Sequence, residues 1–213
     1  MYIYQPDRVL LKRQIEKYSH YIKGKVLDVG AGKTSRYRDL FDCREYIKMD
    51  IEKSDNIDIV GQAENIPFEN NTFDSIICTQ VLGDVEDIFE AIKECYRVLK
   101  PNGMILLTES MVEEIHNKQR DSWRFTRLGM KRLFKKAGFK IIILSRRGGF
   151  FSIKAQINTR YLIDKFNLYS HKYGRVLSPF FRAYSEFMFF LDKIDQSQAN
   201  KKFALGWCII AKK

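Results

Sequence analysis

Short apolar runs alternate with helical patterns and glycine turns through the first 110 residues, and this alternation restricts the fold more than any other feature. Lys25 to Val29 is a β-branched run that ends in the turn Gly30-Ala31-Gly32. Further strands are predicted over Glu45 to Met49, Ile57 to Val60, Phe73 to Thr79 and Met104 to Thr108. Helices are predicted over Ser35 to Phe41 and over Glu86 to Leu99. Strands that alternate with helices form parallel βαβ units, so we expect an open, doubly wound α/β sheet.

Other elements flank this alternation at both ends of the chain. Gln5 to Ile22 has the apolar spacing of an amphipathic helix and is stopped by Gly24, so residues 1–24 are expected to form an N-terminal helix. Thr126 to Ala137 is predicted to be a basic helix. The last strands are predicted over Phe139 to Leu144 and Leu205 to Ala211, with a mostly helical insert between them over residues 152–202. We expect the insert to act as a cap on a single domain that spans residues 1–213.

Length and cysteine content set the class of protein. The chain has 213 residues, of which 45% are hydrophobic, and this is enough to bury one core without covalent staples. Its four cysteines lie far apart and lack the spacing of metal ligands, and no secretory signal opens the chain. These features predict a reduced, cytoplasmic protein without disulfides and with no metal site.

The formal net charge of +11 is unevenly distributed along the chain. Residues 1–25 carry +4, residues 26–110 carry −8 and residues 111–213 carry +15. The acidic middle suits a cationic ligand, whereas the basic C-terminal half suits an anionic partner or surface.

The ends of the predicted strands hold the candidate binding residues, because ligands of open parallel sheets bind beyond the carboxyl ends of the strands. Asp28 precedes the glycine turn, and we expect its carboxylate to point into the mouth of the turn. There it would repel a pyrophosphate but attract an ammonium or a sulfonium. Ser35 also replaces the last glycine of a dinucleotide fingerprint. Asp50 ends the second strand, where an acidic group can accept both hydroxyls of a ribose, although a surface aspartate is an alternative.

Five motifs, in this order, resemble those of the class I S-adenosylmethionine-dependent methyltransferases of the small-molecule type (type 11). The motifs are Asp28-Val29-Gly30-Ala31-Gly32, Asp50, Ala63 to Phe68, Phe73 to Ile77 and Val98 to Met104. The resemblance covers about residues 25–145 and the closing strand. It implies a Rossmann-like, mostly parallel seven-stranded sheet with an antiparallel last strand and the helical insert before that strand. It also implies that S-adenosylmethionine is the cofactor.

The resemblance assigns roles to particular residues of the cofactor site. Asp28, Gly30 and Gly32 would hold the methionine part of the cofactor, and Asp50 would hold the ribose hydroxyls. Ile51 would pack on the adenine, and Gln62 and Ala63 would meet its edge. Gln80 and Val81 would approach the amino-acid part. Gly83-Asp84 stands where many relatives have Glu-His, so no catalytic role is carried over to that position.

Spacing singles out no catalytic residue. Methyl transfer from a sulfonium is an in-line displacement that depends mainly on positioning and needs no protein nucleophile. A hydroxyl acceptor would need a base, for which Asp84, Glu109, His116 and Asp121 are candidates that follow strand ends. A solvated loop histidine is the alternative interpretation of His116. Arg120 to Thr126 resembles a stretch of family members associated with glycan clusters, and its Trp123 and Arg124 could contact an acceptor or, for the indole, pack in the core.

The insert is rich in aromatic residues, since residues 150–190 hold 12 of the 29 in the chain. A helical stripe is predicted from Phe180 through Tyr184, Phe187, Met188, Leu191 and Ile194, and Phe181, Phe189 and Phe190 widen its apolar arc. The protein's own core or a second subunit could cover residues 180–194. A membrane interface is the next candidate, with Lys165, Lys172, Arg175 and Arg182 as cationic companions. RNA ranks third.

These features together predict a methyltransferase that acts on a small or lipid-linked acceptor of glycan type. The acceptor is expected to be anionic, because the basic segments would flank or cap it. The alternatives are an RNA or protein methyltransferase, or a non-catalytic partner subunit that binds S-adenosylmethionine. We expect a cytoplasmic protein, with a peripheral membrane contact or a homo-oligomer through residues 180–194 as further hypotheses.

Overall fold

The structure is a computed structural model that describes residues 3–34, 36–116, 119–170 and 173–213. Ser35 and Lys172, which were named above, lie outside the described residues. The chain divides into two compact units. Unit 1 comprises Met1–Arg13, Val112–Glu114 and Arg146–Gly206, and unit 2 comprises Gln14–Met111, Ile115–Ser145 and Trp207–Lys213.

One seven-stranded sheet has the strand order β3-β2-β1-β4-β5-β7-β6. The strands are β1 (Lys25–Val29), β2 (Glu45–Asp50), β3 (Ile59–Val60), β4 (Phe73–Thr79), β5 (Leu99–Ser110), β6 (Lys140–Arg147) and β7 (Gly206–Lys212). Strands β1 to β5 pair in parallel. The chain after β7 returns beside the start of β5, where the N–H of Lys213 donates to the carbonyl of Gly103. The predicted α/β fold, with its mostly parallel sheet and antiparallel end, is confirmed.

Six α-helices are present in the described residues: α1 (Pro6–Tyr18), α2 (Ile88–Val98), α3 (Arg127–Lys136), α4 (Phe150–Lys165), α5 (Tyr173–Ile194) and α6 (Gln198–Lys201). The predicted helix over Ser35 to Phe41 is wrong, because its described part contains only the 3₁₀ turn Arg38–Leu40. Phe41 is the one fully buried apolar side chain in that part, so a longer helix would bury little apolar surface.

Strands β3 and β5 also differ in length from their predictions. Strand β3 has two residues instead of four. Strand β5 begins at Leu99 and includes Lys100 to Gly103, whereas the sequence predicted that these residues end the preceding helix and that the strand starts at Met104. The register between β4 and β5 shifts at these four residues, and Asn102 has a positive φ of 68°. A bulge therefore accommodates the extra residues, and the strand does not end at them.

The core of unit 2 lies around β1, β4 and β5, the central parallel strands. Their apolar residues are buried on both faces of the sheet, as is typical of parallel strands covered by helices. Fully buried examples are Val26, Leu27, Ile76, Ile77, Ile105, Leu106 and Leu107. This core fixes the carboxyl ends of β1 and β4, from which the candidate site is built.

In unit 1, a carboxylate from α5 caps the start of α4. Asp192 accepts hydrogen bonds from the backbone N–H groups of Gly149 and Ser152, both at 2.9 Å, and of Phe151 at 3.1 Å. These amides have no partner within the helix, so the carboxylate satisfies groups that burial would otherwise penalise. Helices α4, α5 and α6 account for most of residues 152–202. That the insert acts as a cap within a single domain stays a prediction.

Replacing this cap should destabilise the protein. We expect Asp192→Ala to lower the free energy of unfolding by about 2 kcal/mol, because several amide donors lose a charged acceptor. Asp164→Ala is the matched control: its carboxylate lies 3.9 Å from Arg160 at the exposed surface of α4 and should contribute less than about 0.5 kcal/mol. Urea unfolding followed by circular dichroism measures both, and equal losses would contradict the capping role.

Candidate active site

The ends of β1, β2 and β4 form one side of the candidate site. Val29 at the end of β1 pairs with Met49 in β2 and with Cys78 in β4. The glycine turn bends back over this edge, where the N–H of Gly30 donates to the carbonyl of Met49 over 2.9 Å. Gly30 has a φ of +70°, and a Cβ there would lie 2.3 Å from Cγ2 of Val81. This position of the turn therefore requires glycine.

The carboxylate of Asp50 holds the next part of the turn. Its Oδ2 accepts from the N–H of Gly32 over 2.9 Å, and its Oδ1 accepts from the N–H of Glu52 over 3.0 Å. The backbone carbonyl of Asp50 accepts from Gly61 over 3.0 Å and so aligns the segment after β3. Each carboxylate oxygen keeps a second acceptor site, so Asp50 is both fixed and able to bind a ligand hydroxyl.

A second carboxylate supports the turn after β4. Glu109, which is only 2% exposed, accepts with Oε1 from the N–H groups of Val81 and Leu82, at 2.9 and 2.7 Å. Gln80 begins this turn with a φ of +58°, and its side-chain oxygen accepts from the hydroxyl of Ser110 over 2.6 Å. Glu109, predicted above as a candidate base, therefore serves as an anchor for backbone amides.

A cavity of about 630 Å³ opens at this edge of unit 2. Seven of the nine predicted cofactor residues line it: Gly30, Asp50, Ile51, Gln62, Ala63, Gln80 and Val81. Its acidic lining residues are Asp50, Glu52, Glu64, Asp84 and Glu86. Among the described residues that line the cavity, Arg120 is the only Lys or Arg. The lining therefore favours a cationic ligand.

Asp28 is placed differently from its prediction. Its carboxylate is buried, and Oδ2 accepts a 2.7 Å hydrogen bond from the hydroxyl of Tyr46 on β2. Burial raises the pKa of Asp28 to about 7, the Tyr46 hydrogen bond opposes that rise, and the nearby charge of Asp50 adds to it. Asp28 thus turns toward the neighbouring strand, whereas the sequence predicted a carboxylate open to the mouth of the turn.

Three of the predicted catalytic candidates lie together. Nε2 of His116 is 3.4 Å from Oδ1 of Asp84, and Nδ1 is 3.6 Å from Oδ2 of Asp121. Arg124 forms an ion pair with Asp121 and lowers the pKa of that carboxyl. We call Asp84, His116 and Asp121 the Asp-His-Asp cluster. Asp84 also lines the cavity, so the cluster reaches the candidate site through this residue.

The cluster also bears on the prediction that the protein has no metal site. One ligand atom from each of its three residues lies within 4.8 Å of the others, an arrangement that can hold a cation although no metal site was predicted.

Trp123 follows the cluster in the sequence and donates its indole N–H to the carbonyl of Val85 over 2.9 Å. The ring is 40% exposed, so it is only partly packed in the core.

Sequence reasoning missed several residues of the site. Tyr46, the partner of Asp28, gave no motif signal, although it lies two residues before the register partner of Asp28 on the adjacent strand. Glu52 and Glu86 line the cavity from loops, where a single sequence shows them only as surface charges. Only their closeness to the ends of strands could have suggested that these two residues belong to the site.

Comparisons with known proteins show what the central part of this chain is similar to. Residues 27–107 match the family described as a methyltransferase domain. The ubiquinone/menaquinone biosynthesis C-methyltransferase UbiE of Cronobacter sakazakii is 41% identical over 88 residues, covering 37% of this chain and 35% of the relative. The chain thus spans about a third of the length of this curated relative.

Solved structures share the fold at low sequence identity. A SAM-dependent methyltransferase from Archaeoglobus fulgidus is 15% identical with a TM-score of 0.59, covering 97% of this chain and 94% of that one. Phosphoethanolamine N-methyltransferase 2 of Haemonchus contortus, in complex with S-adenosyl-L-methionine, is 17% identical with a TM-score of 0.57, covering 95% and 51%. The chain therefore shares the fold of these solved methyltransferase structures, and its residues 27–107 are similar to a methyltransferase domain.

The raised pKa of Asp28 predicts a pH-dependent stability. Between about pH 4 and pH 7 the unfolded chain loses the Asp28 proton while the folded chain keeps it, so the stability of the wild type falls as the pH rises. Asp28→Asn keeps the acceptor for Tyr46 without the ionisation. Across this window the variant should gain up to roughly 4 kcal/mol relative to the wild type.

Urea unfolding at pH 4, 5.5, 7 and 8 measures this difference. The exposed Asp55→Asn serves as the control and should follow the wild-type curve. Parallel curves for wild type and Asp28→Asn would show that Asp28 ionises normally in the folded protein.

Proposed function

We propose that this protein transfers a methyl group from S-adenosylmethionine, bound in the 630 Å³ cavity, to an anionic acceptor. The observation that carries the proposal is the acidic lining of a cavity at the carboxyl ends of parallel strands. Among the described lining residues, five carboxylates and a single Arg suit a ligand with an ammonium and a sulfonium. The match of residues 27–107 to a methyltransferase domain supports the same reaction.

The residues of the cavity fit this cofactor. The volume lies within the range of small-molecule sites. A Cβ at Gly32 would meet no atom within 4 Å, so the turn leaves open space for a ligand beside Asp50. Asp50 would accept the ribose hydroxyls, Ile51 would pack on the adenine, and Gln62 would accept a hydrogen bond from its amino group. The roles of Asp28, Gly30, Ala63, Gln80 and Val81 in holding the remainder are part of the same proposal.

When bound, the cofactor supplies an electrophilic methyl group on a positively charged sulfur. The protein then has to align the acceptor with that group and keep water away, which needs no covalent bond to the chain. Rigid turns serve this alignment. Asp50 and Glu109 fix the backbone on two sides of the cavity. A ligand held by these two turns would therefore keep the position that methyl transfer requires.

Asp84 is the candidate base for a hydroxyl acceptor. It lines the cavity, and its Oδ1 is buried without a hydrogen-bond partner among the described residues. His116 stands behind it, at 3.4 Å, and is itself positioned by Asp121. A proton released by the acceptor would be taken by the carboxylate of Asp84, and the imidazole of His116 would stabilise or relay it.

The finer identity of the acceptor rests on charge. Residues 111–213 carry +15, and Arg120 brings one of these charges to the cavity lining. Arg can bind phosphate or carboxylate groups of an acceptor with two hydrogen bonds. A small or lipid-linked acceptor of glycan type with such a group fits these observations. An RNA acceptor would bind to the same positive charges, and the methyl-transfer assay includes an RNA fraction to test for it.

Calorimetry with S-adenosylmethionine tests the cofactor site. We expect micromolar binding by the wild type and at least about a tenfold loss in Asp50→Ala, since two charged hydrogen bonds and the order of the glycine turn are removed. Glu69→Gln, an exposed carboxylate outside the cavity, is the control for charge and should bind as the wild type does. Absence of binding at millimolar cofactor would overturn the proposal.

Transfer of label from S-[methyl-³H]adenosylmethionine tests the chemistry. Cell extract separated into lipid, aqueous small-molecule and RNA fractions serves as acceptor, and we expect label in the lipid or small-molecule fraction. Asp84→Asn should slow transfer by about a hundredfold or more while cofactor affinity stays within about twofold. Glu86→Gln, which removes the same charge from the lining, should retain most of the rate. Label confined to RNA would overturn the acceptor class.

Chelation separates proton transfer from metal chemistry in the Asp-His-Asp cluster. A rate that is unchanged by EDTA supports Asp84 as a base. A rate that falls with EDTA and returns with Mg²⁺ or Mn²⁺ would instead assign the cluster to a metal and overturn the role of Asp84 as the base.

A further inference from the structure

Helix α5 in unit 1 is apolar on two opposite faces. One face is buried in unit 1 and includes Phe181, Ser185, Met188 and Phe189. The stripe predicted from the sequence combined one of these residues, Met188, with Phe187 and Ile194, which lie on the other side of the helix and are exposed. The prediction was wrong in this respect because a wide apolar arc does not show which part of it faces the core.

The second face is a continuous exposed stripe. Val176, Phe180, Ala183, Phe187, Phe190 and Ile194 follow one another at alternating intervals of four and three residues, which places them along one side of a helix. The five large side chains of this set are each between 54% and 68% exposed. Scattered surface apolar residues need no explanation, but a stripe along a 22-residue helix indicates an interaction surface.

Helix α4 and the residue that ends it extend the apolar surface in the same unit. Ile157 and Tyr161 are exposed on α4, and Phe166 is exposed where the helix ends. Helix α4 meets α5 beside these residues, since the amide of Asn158 donates to the hydroxyl of Tyr184 over 2.8 Å. The exposed surface therefore spans two helices and is broader than a single helix-pairing seam.

The charged residues around this surface are almost all cationic. In the described part of residues 150–194 the exposed charged side chains are Lys154, Lys165, Arg175, Arg182, Lys193 and one anion, Asp164. The other two carboxylates are engaged inside unit 1, Glu186 with Arg13 over 2.6 Å and Asp192 with the start of α4. Lys165 also lies 5.3 Å from the ring centre of Tyr161. Aromatic rings flanked by cations are typical of helices that lie in a membrane interface.

We propose that the exposed faces of α4 and α5 dock unit 1 on the surface of an anionic lipid bilayer. The apolar stripe would enter the boundary between headgroups and acyl chains, and the five cations would meet the negative headgroups. A second copy fits less well, because pairing these faces would bring two cationic surfaces together. None of the helices in the described residues is long and apolar enough to cross a bilayer.

This proposal does not depend on the methyltransferase reaction, because it is tested by lipid binding alone. The full chain is floated with vesicles of phosphatidylcholine, either pure or containing about one third phosphatidylglycerol. We expect strong binding to the anionic vesicles, weak binding to the neutral ones and release by salt.

Two pairs of variants assign the binding to this surface. Phe187→Gln with Phe190→Gln should lower the partition coefficient by about tenfold or more, whereas Leu128→Gln with Ile142→Gln, two exposed apolar residues of unit 2, should leave it unchanged. Arg175→Gln with Arg182→Gln should lower binding to anionic vesicles by about tenfold. Lys131→Gln with Arg132→Gln removes the same charge from α3 and should have little effect.

Three results would overturn the proposal. They are no vesicle binding by the wild type, equal losses in the α5 variants and their controls, and unchanged binding in the α5 variants. If sedimentation shows a wild-type dimer that Phe187→Gln with Phe190→Gln converts to a monomer, with no lipid binding, a second copy covers the surface instead. Circular dichroism of each variant checks that α5 keeps its helical content.

Discussion

Carboxylates that hold backbone amides are the interaction on which the candidate site depends. The turn after β1 is fixed by Asp50, and the turn after β4 is fixed by Glu109. In the turn after β4, Gln80 has a left-handed conformation, which a residue other than glycine keeps only when surrounding contacts determine it. The charged hydrogen bonds of Glu109 supply such contacts and fix the backbone at this edge of the cavity.

The electrostatics of the site follow from the same arrangement. Five carboxylates at one cavity repel one another, and burial, together with the nearby charge of Asp50, raises the pKa of Asp28 to about 7. A cationic ligand would relieve this repulsion, and it would favour the ionised form of Asp28. Ligand binding and Asp28 ionisation are therefore expected to be coupled, so the affinity for a sulfonium should rise with pH through the window in which Asp28 loses its proton.

Opposite charges are concentrated in two parts of the molecule and have separate physical roles. The acidic region 26–110 surrounds the cavity in unit 2, whereas unit 1 presents cations beside an exposed apolar surface on α4 and α5. A net charge of +11 alone would have suggested nucleic acid. Its distribution over the residues instead favours a cationic cofactor in one place and an anionic surface in another.

Local signals in the sequence determined the elements of the sheet and the edge that carries the site. Strands β1 and β4 have their predicted bounds, and seven of nine predicted cofactor residues line the cavity, because periodicity and glycine turns act over a few residues. Tertiary structure decided what depends on distant partners. Tyr46 binds the carboxylate of Asp28 from the neighbouring strand, Glu109 holds backbone amides, and packing in unit 1 selects which apolar face of α5 is buried. A single sequence lists these groups but does not show which of them meet, since contacts between strands and helices form only in the folded chain.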